Sequence, residues 1–201
     1  MIIGIVAVDR QGAIGKDGKL PWHYSADMKH FKETTIGHAC VMGRRTWLTL
    51  KKPLKERLNI VLSRQGEVKG HGDAETRGHG DAETRGHGDA ETRGHGDAET
   101  RGHGDAETSQ GSVITLKDVD SVLVLAPYLR CDLFVIGGAQ VYRSFLPYIE
   151  KWIVTEVPLT VEGADVFVPE SYLEEFIKTD SKEIDSDLSV SYYVRSRERD
   201  I

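Results

Sequence analysis

Short apolar runs recur along this chain, separated by stretches with helical or turn patterns. Residues 2–8, 38–42, 58–62, 112–115, 132–136 and 152–157 are each largely apolar. In residues 2–8 the apolarity is continuous rather than alternating, as in a strand buried on both faces of a sheet; 58–62 and 132–136 also predict buried strands, and 38–42, 112–115 and 152–157 predict strands. Pro21 halts what precedes it, and Ser25 stands where the N-cap of a helix through residue 32 is expected. That helix places Asp27 and Phe31, four residues apart, on one face. Val119, Val122, Leu123 and Ala126 follow i, i+3, i+4, i+7 spacing, the stripe of an amphipathic helix over 117–127. Residues 43–47 turn from a strand into a short helix, and 137–142 open another that continues towards Leu146. Segments 176–179 and 189–196 predict two paired strands at the C-terminal end. The alternation predicts an α/β fold in three layers, with a mostly parallel central sheet of about eight strands flanked by helices. An antiparallel C-terminal strand is expected at or near one edge.

One stretch breaks the pattern. Residues 70–109 are five consecutive copies of Gly-His-Gly-Asp-Ala-Glu-Thr-Arg, with Ser109 closing the last. Alanine is the only apolar side chain in each copy, and two glycines oppose a helix, so stacked copies bury no core. The repeat is expected to be a disordered loop within one domain spanning 1–201. Its length is tolerable because each doubling of a loop costs only about 0.6 kcal/mol. The repeat also carries the charge. It holds ten of the 32 acidic residues and four of the 26 basic ones, which leaves 22 of each elsewhere and assigns it the whole net charge of −6. A neutral frame has no basic footprint for nucleic acid.

Cys40 and Cys131 form no CxxC pair or ligand cluster, as expected of thiols in a reducing compartment. The apolar opening ends at Asp9-Arg10 without a basic leader or cleavage site, so it predicts a buried strand rather than a signal peptide. No stretch reaches the roughly 20 apolar residues of a membrane helix. A cytoplasmic monomer with no membrane or nucleic-acid partner is expected.

Candidate chemistry gathers at the strand ends. Gly43-Arg44-Arg45-Thr46 offers close backbone approach, two cations and a hydroxyl at a helix start, which suits phosphate. Gly137-Gly138 follows a buried strand and opens a helix, so a ligand can approach the backbone there. Residues 9–19 carry Gly12, Gly15 and Gly18 and predict a mobile surface loop, matching neither a Walker loop nor a dinucleotide fingerprint. Asp27 is either a complement to its helix dipole or a carboxylate facing an apolar cleft, poised to handle a proton.

In this order and spacing the motifs resemble the dihydrofolate reductase family. They are Ile14-Gly15…Gly18-Lys-Leu20-Pro21-Trp22, Asp27 with Phe31, Val41-Met42-Gly43-Arg44-Arg45-Thr46, and Pro53-Leu54…Arg57-Leu-Asn-Ile-Val. Ile136-Gly137-Gly138-Ala139-Gln140-Val141-Tyr142 and Thr155…Glu162-Gly163-Ala-Asp165-Val-Phe167-Val-Pro169 complete the set, leaving out only the repeat. The resemblance implies NADPH-dependent reduction of 7,8-dihydrofolate to tetrahydrofolate, by hydride transfer to pterin C6 with protonation at N5 promoted by Asp27. It implies a catalytic group of Asp27, Trp22, Thr155 and Tyr142, with Thr155 orienting the carboxylate. The implied substrate contacts are Ile5, Ala7, Asp27, Met28, Phe31, Leu50, Leu54, Arg57, Ile136 and Thr155, Arg57 clamping the substrate's glutamate carboxylate. The implied NADPH contacts are Ala7, Ile14, Gly15, Gly18, Lys19, Gly43, Arg44, Arg45, Thr46, Leu62, Ser63, Arg64 and Ile136 through Tyr142, namely Ile136, Gly137, Gly138, Ala139, Gln140, Val141 and Tyr142. It further implies a cis bond between Gly137 and Gly138, a lid over residues 9–24, and no metal.

Two departures from the family pattern stand out. Arg64 replaces a small hydroxyl residue and, with Arg44, is expected to strengthen binding of the adenosine 2′-phosphate. Ala164 is an extra residue in the loop that supports the lid. The riboflavin-pathway pyrimidine reductase, of the same fold, is the enzymatic alternative; Pro21-Trp22, Asp27 with Phe31 and Arg57 favour the folate enzyme. A repeat-based metal-binding or interaction array on an inactive scaffold is the alternative of another class. No fused thymidylate synthase is expected within the 201 residues.

Overall fold

The computed structural model describes residues 1–68 and 111–196. The loop expected over the repeat lies outside the described residues. β1 (Ile2–Val8), β3 (Ala39–Gly43), β4 (Leu58–Leu62), β5 (Ser112–Leu116), β6 (Leu133–Val135) and β7 (Lys151–Glu156) pair in parallel. β9 (Phe176–Asp185) and β10 (Leu188–Arg195) form an antiparallel hairpin on the β7 edge. The order β5-β4-β3-β6-β1-β7-β10-β9 is one eight-stranded sheet. The long apolar runs fill its middle, where both faces are covered.

Each face has its own core. α3 (Val119–Leu125) and α4 (Ala139–Phe145) cover the face carrying Val6, Val41, Ile60, Val135 and Trp152. α1 (Ser25–Thr35) and α2 (Arg44–Thr49) lie against the other, which carries Ile3, Ile5, Met42, Val61, Phe134 and Ile153. All parallel strands run the same way, so the chain segments that leave their carboxyl ends converge on one rim. In open α/β sheets ligands bind at that rim.

Two local expectations are corrected. Ser25 is the first residue of α1 rather than its cap; Tyr24 precedes the helix in extended conformation, with no side-chain capping bond. The helix start is set by packing instead, because Trp22, Tyr24 and Ala26 dock against Val157 and Leu188. Residues 9–19 are also not a plain surface loop. They contain β2 (Ala13–Gly15), paired antiparallel with β8 (Val166–Phe167). Elements of three and two residues are too short to announce themselves by periodicity.

Candidate active site

Asp27 sits in the first turn of α1 and is only 8 % exposed. Thr155 of β7 is also buried, in register with Ala7 of β1 and Val190 of β10, so it occupies the sheet beneath that turn. Burial pushes the Asp27 carboxyl above the ordinary carboxylate range; a hydrogen bond from Thr155 and the charge of His30 oppose this without cancelling it. Ile5, Phe31, Leu50, Leu54 and Ile136 pack into the apolar cluster that also holds Ile3, Met42 and Phe134. Met28 is 47 % exposed on the same helix and adds little to that wall.

Arg57 is buried, with Nε donating to the Lys55 carbonyl at 2.8 Å and Nη1 to the Thr35 hydroxyl at 3.0 Å. The Thr35 hydroxyl in turn donates to the Phe31 carbonyl at 2.7 Å. The guanidinium is thereby fixed to the far end of α1, two turns beyond Asp27. Asn59, fully buried in β4, accepts from the Leu54 amide and donates to the Leu54, Arg57 and Ser112 carbonyls. Its signal in sequence is one amide within an apolar strand.

The glycine turns meet on the rim. The Gly43 amide donates to the Gly137 carbonyl at 2.8 Å, joining the ends of β3 and β6. The Gly137–Gly138 bond is cis, and Gly137 has φ +107°, a conformation that needs glycine. A Cβ there would lie 3.0 Å from the Tyr142 ring. The Tyr142 hydroxyl donates to the Ile5 carbonyl at 2.8 Å, and burial raises its pKa. No side chain caps the start of α2 or α4, where Gly43 and Gly138 are the N-caps, so their first amides remain available as donors.

Arg44 and Arg45 are exposed in the first turn of α2, with Arg44 hydrogen-bonded to Gln65. Thr46 Oγ1 faces Gly138. Leu62 ends β4 and buried Ser63 follows it, its Oγ accepting from the Gln65 amide at 3.2 Å. Arg64 is exposed and within electrostatic reach of Asp118. Bare glycine backbone, uncapped amides and neighbouring arginines fit a pyrophosphate-bearing dinucleotide such as NADPH.

The segment 9–19 is held by a group that sequence reasoning missed. Asp9 is 4 % exposed. Its Oδ1 accepts from the Gln11 and Ala13 amides at 2.8 and 2.7 Å, and its Oδ2 from the Val161 amide at 2.8 Å. Desolvation alone would raise this carboxyl, but the backbone donors outweigh it and hold it below its ordinary value. Aspartate closely followed by Gly12 is the available signal, an Asx turn. Ile14 and Gly15 follow in β2, while Lys16 Nζ donates to the Glu162 carbonyl at 2.7 Å. Gly18 and Lys19 are exposed in a turn closed by Lys16 and Lys19, and a Cβ at Gly18 would meet nothing within 4 Å. Trp22 is buried, and its Nε1 makes no hydrogen bond among the described residues. Asp9→Ala should cost about 2–3 kcal/mol, because it leaves three amides without their acceptor and frees segment 9–19 from Val161. Urea unfolding at pH 7 checks this. The part of the loss that belongs to the charge should fade in acid, since a depressed carboxyl gives its stability above the unfolded value and loses it as pH falls through the folded one.

Glycine turns suited to a pyrophosphate, beside a buried carboxylate in an apolar cleft at the strand ends, fit a dinucleotide-dependent oxidoreductase of the α/β class. The chain belongs to the dihydrofolate reductase family, whose model matches residues 1–84 and 103–199. It is 34% identical to the dihydrofolate reductase of Mycobacterium leprae over 174 residues, 84% of this chain and 81% of that protein. It is 30% identical to the dihydrofolate reductase of Bacillus subtilis over 163 residues, 81% of this chain and 73% of that protein. The fold is similar to that of dihydrofolate reductase from Enterococcus faecalis complexed with NADP(H) and RAB-propyl. The TM-score is 0.68 at 26% identity, covering 98% of this chain and 97% of that one.

Proposed function

We propose that this chain reduces 7,8-dihydrofolate to 5,6,7,8-tetrahydrofolate with NADPH. The observation that carries the proposal is Asp27, a buried carboxylate with a raised pKa, in an apolar cleft beside the glycine-lined strand ends. NADPH, when bound, supplies the hydride. Arg44, Arg45, Thr46 and the glycine backbone would hold its phosphates, with Arg64 adding charge on the adenosine side. Asp27 binds the pterin's exocyclic amino group and N3 and promotes protonation at N5, while Thr155 keeps the carboxylate oriented. Ile5, Phe31, Leu50, Leu54 and Ile136 exclude water from the ring. The Tyr142 hydroxyl is committed to the Ile5 carbonyl, which suits it to fixing the middle of β1 rather than to giving up its proton. Trp22 anchors the closing end of the lid. Arg57 pairs with the glutamate carboxylate of the substrate, using donors that Thr35 and Lys55 leave open.

NADPH consumption with dihydrofolate is the direct test; no turnover refutes the proposal. Arg57→Lys should raise KM for dihydrofolate about tenfold or more, because lysine cannot reproduce a forked pairing with a carboxylate. KM for a dihydropterin lacking the glutamate should barely change, and an equal rise for both compounds would refute the clamp. Excision of residues 70–109 should leave kcat within a few-fold, since every residue assigned a role here lies outside them; abolished turnover would tie the repeat to catalysis. The same proposal carries a cytoplasmic monomer acting on a small molecule. Among the described residues, no helix is long and apolar enough to cross a membrane.

A further inference from the structure

We propose that Thr35, the last residue of α1, is a positioning residue for the Arg57 clamp. Its hydroxyl holds the guanidinium at a set distance from Asp27 and so tightens binding of the substrate's glutamate carboxylate. The inference rests on the function proposed above for the identity of that carboxylate, but not for the tie between Thr35 and Arg57.

Amphipathic helices turn apolar residues inwards, yet the side chains that α1 buries are Asp27 and Thr35, both polar. They stand towards the two ends of the helix, eight residues or about 12 Å apart along its axis. Asp27 is the carboxylate of the proposed chemistry, and Thr35 is fully enclosed. A buried hydroxyl needs hydrogen-bond partners, and Thr35 has two. It donates to the Phe31 carbonyl, one turn back, at 2.7 Å. That bond fixes the rotamer, because a helical threonine bonds back only with its oxygen turned towards the preceding turn. With its proton committed, Oγ1 can only accept, and Nη1 of Arg57 donates to it at 3.0 Å.

Arg57 is the complementary half. Its guanidinium is buried, and none of the ion pairs among the described residues includes it. Cys40, fully buried in β3, is within electrostatic reach but is no counter-ion, since burial pushes its thiol up to about 12. Buried charges are ordinarily paired, so this one suits an anion from outside the chain. Nε is bonded to the Lys55 carbonyl and Nη1 to Thr35, from two separate segments, which fixes the plane of the group. These two bonds leave Nη2 for a carboxylate. Lys55 lies two residues away in the same turn and moves with Arg57. Thr35 instead ties the clamp to the helix that carries Asp27. Removing its hydroxyl leaves the guanidinium tied to its own turn.

The test uses the full chain with Thr35→Val, which keeps the shape and removes the hydroxyl, and Thr35→Ser, which keeps the hydroxyl. Thr35→Val should raise KM for dihydrofolate about three- to tenfold, the worth of one hydrogen bond, with kcat within about twofold. KM for a dihydropterin lacking the glutamate should stay unchanged, because that compound does not use the clamp. Thr35→Ser should restore KM for dihydrofolate. In the unliganded protein, nitrogen NMR should show the Arg57 Nη protons as separate lines in the wild type and in Thr35→Ser. Faster rotation should merge them in Thr35→Val. A rise in KM that is equal for both compounds, or that serine does not correct, makes Thr35 structural and overturns the proposal. An Arg57 spectrum that ignores the valine overturns it too. If the NMR difference is present but the wild type turns over no dihydrofolate, the proposed function falls and the tie between Thr35 and Arg57 stands.

Discussion

Asp27→Asn is expected to lower kcat for dihydrofolate near pH 7 by about 10²–10⁴-fold, the usual worth of a positioned proton-handling group, and to make the protein more stable at that pH. The first effect follows from the chemistry. An amide cannot hold a negative charge next to the pterin, so N5 loses the group that promotes its protonation. Part of the activity should return in acid, where dihydrofolate arrives already protonated. The second effect follows from burial. The folded pKa of Asp27 lies above its unfolded value, so the fold prefers the neutral acid. That preference stabilises the fold fully below the unfolded value and is lost as pH rises through the folded one. At pH 7 the folded state therefore carries a desolvated charge that the unfolded chain carries in water. Asparagine removes that cost, and its advantage should fade as pH falls below the ordinary carboxylate range. Scanning calorimetry at pH 7 and in acid reads both ends. A variant no more stable at pH 7 would show that Thr155 and His30 already compensate the carboxylate. Normal turnover at pH 7 would remove Asp27 from the mechanism.

The opposing signs explain how the site could be read from sequence at all. Cores are written in apolar letters, so a carboxylate one turn from Phe31, following Pro21-Trp22, stands out. The glycine pair stands out for the same reason, because Gly137 adopts a φ that other residues avoid. The five inner parallel strands were equally legible, each being a run of apolar residues with polar punctuation, while β5, at the edge and only partly buried, shows as a shorter Ser-Val-Ile-Thr segment. Other features depend on partners distant in sequence and leave only a faint local mark. Asp9 looks like a turn residue until Val161, more than 150 positions away, donates to its second oxygen. His30 looks like one polar residue of an amphipathic helix until β10 brings Tyr192 beneath it. The start of α1 was misplaced by one residue because a serine suggested a cap, whereas Trp22 and Tyr24 fix the helix by packing. Side chains that bond to nearby backbone are visible in sequence; those that bond across the sheet are not.

Asn59 shows what such a distant bond can support. Asn59→Ala should cost about 3–5 kcal/mol of unfolding free energy and raise KM for dihydrofolate with little change in kcat. The amide serves two segments at once. It closes the turn before β4 by bonding both the amide and the carbonyl of Leu54 at 3.0 Å, and it reaches the Arg57 carbonyl at 3.2 Å. Across the sheet it donates to Ser112 at 3.1 Å, tying β4 to the first residue of β5. Alanine leaves these backbone groups without their partner. Each orphaned buried group costs about 1–3 kcal/mol, and water can recover some of it where Leu54 is half-exposed. Leu54 lines the cleft and Arg57 is assigned to the substrate's glutamate carboxylate, so a slackened turn should weaken ground-state binding while Asp27, on another element, keeps its place. Urea unfolding with steady-state kinetics on the same variant separates the two consequences. A loss of under about 1 kcal/mol with KM unchanged would mean that the turn holds its shape without the amide, as expected for an exposed loop residue rather than a buried one.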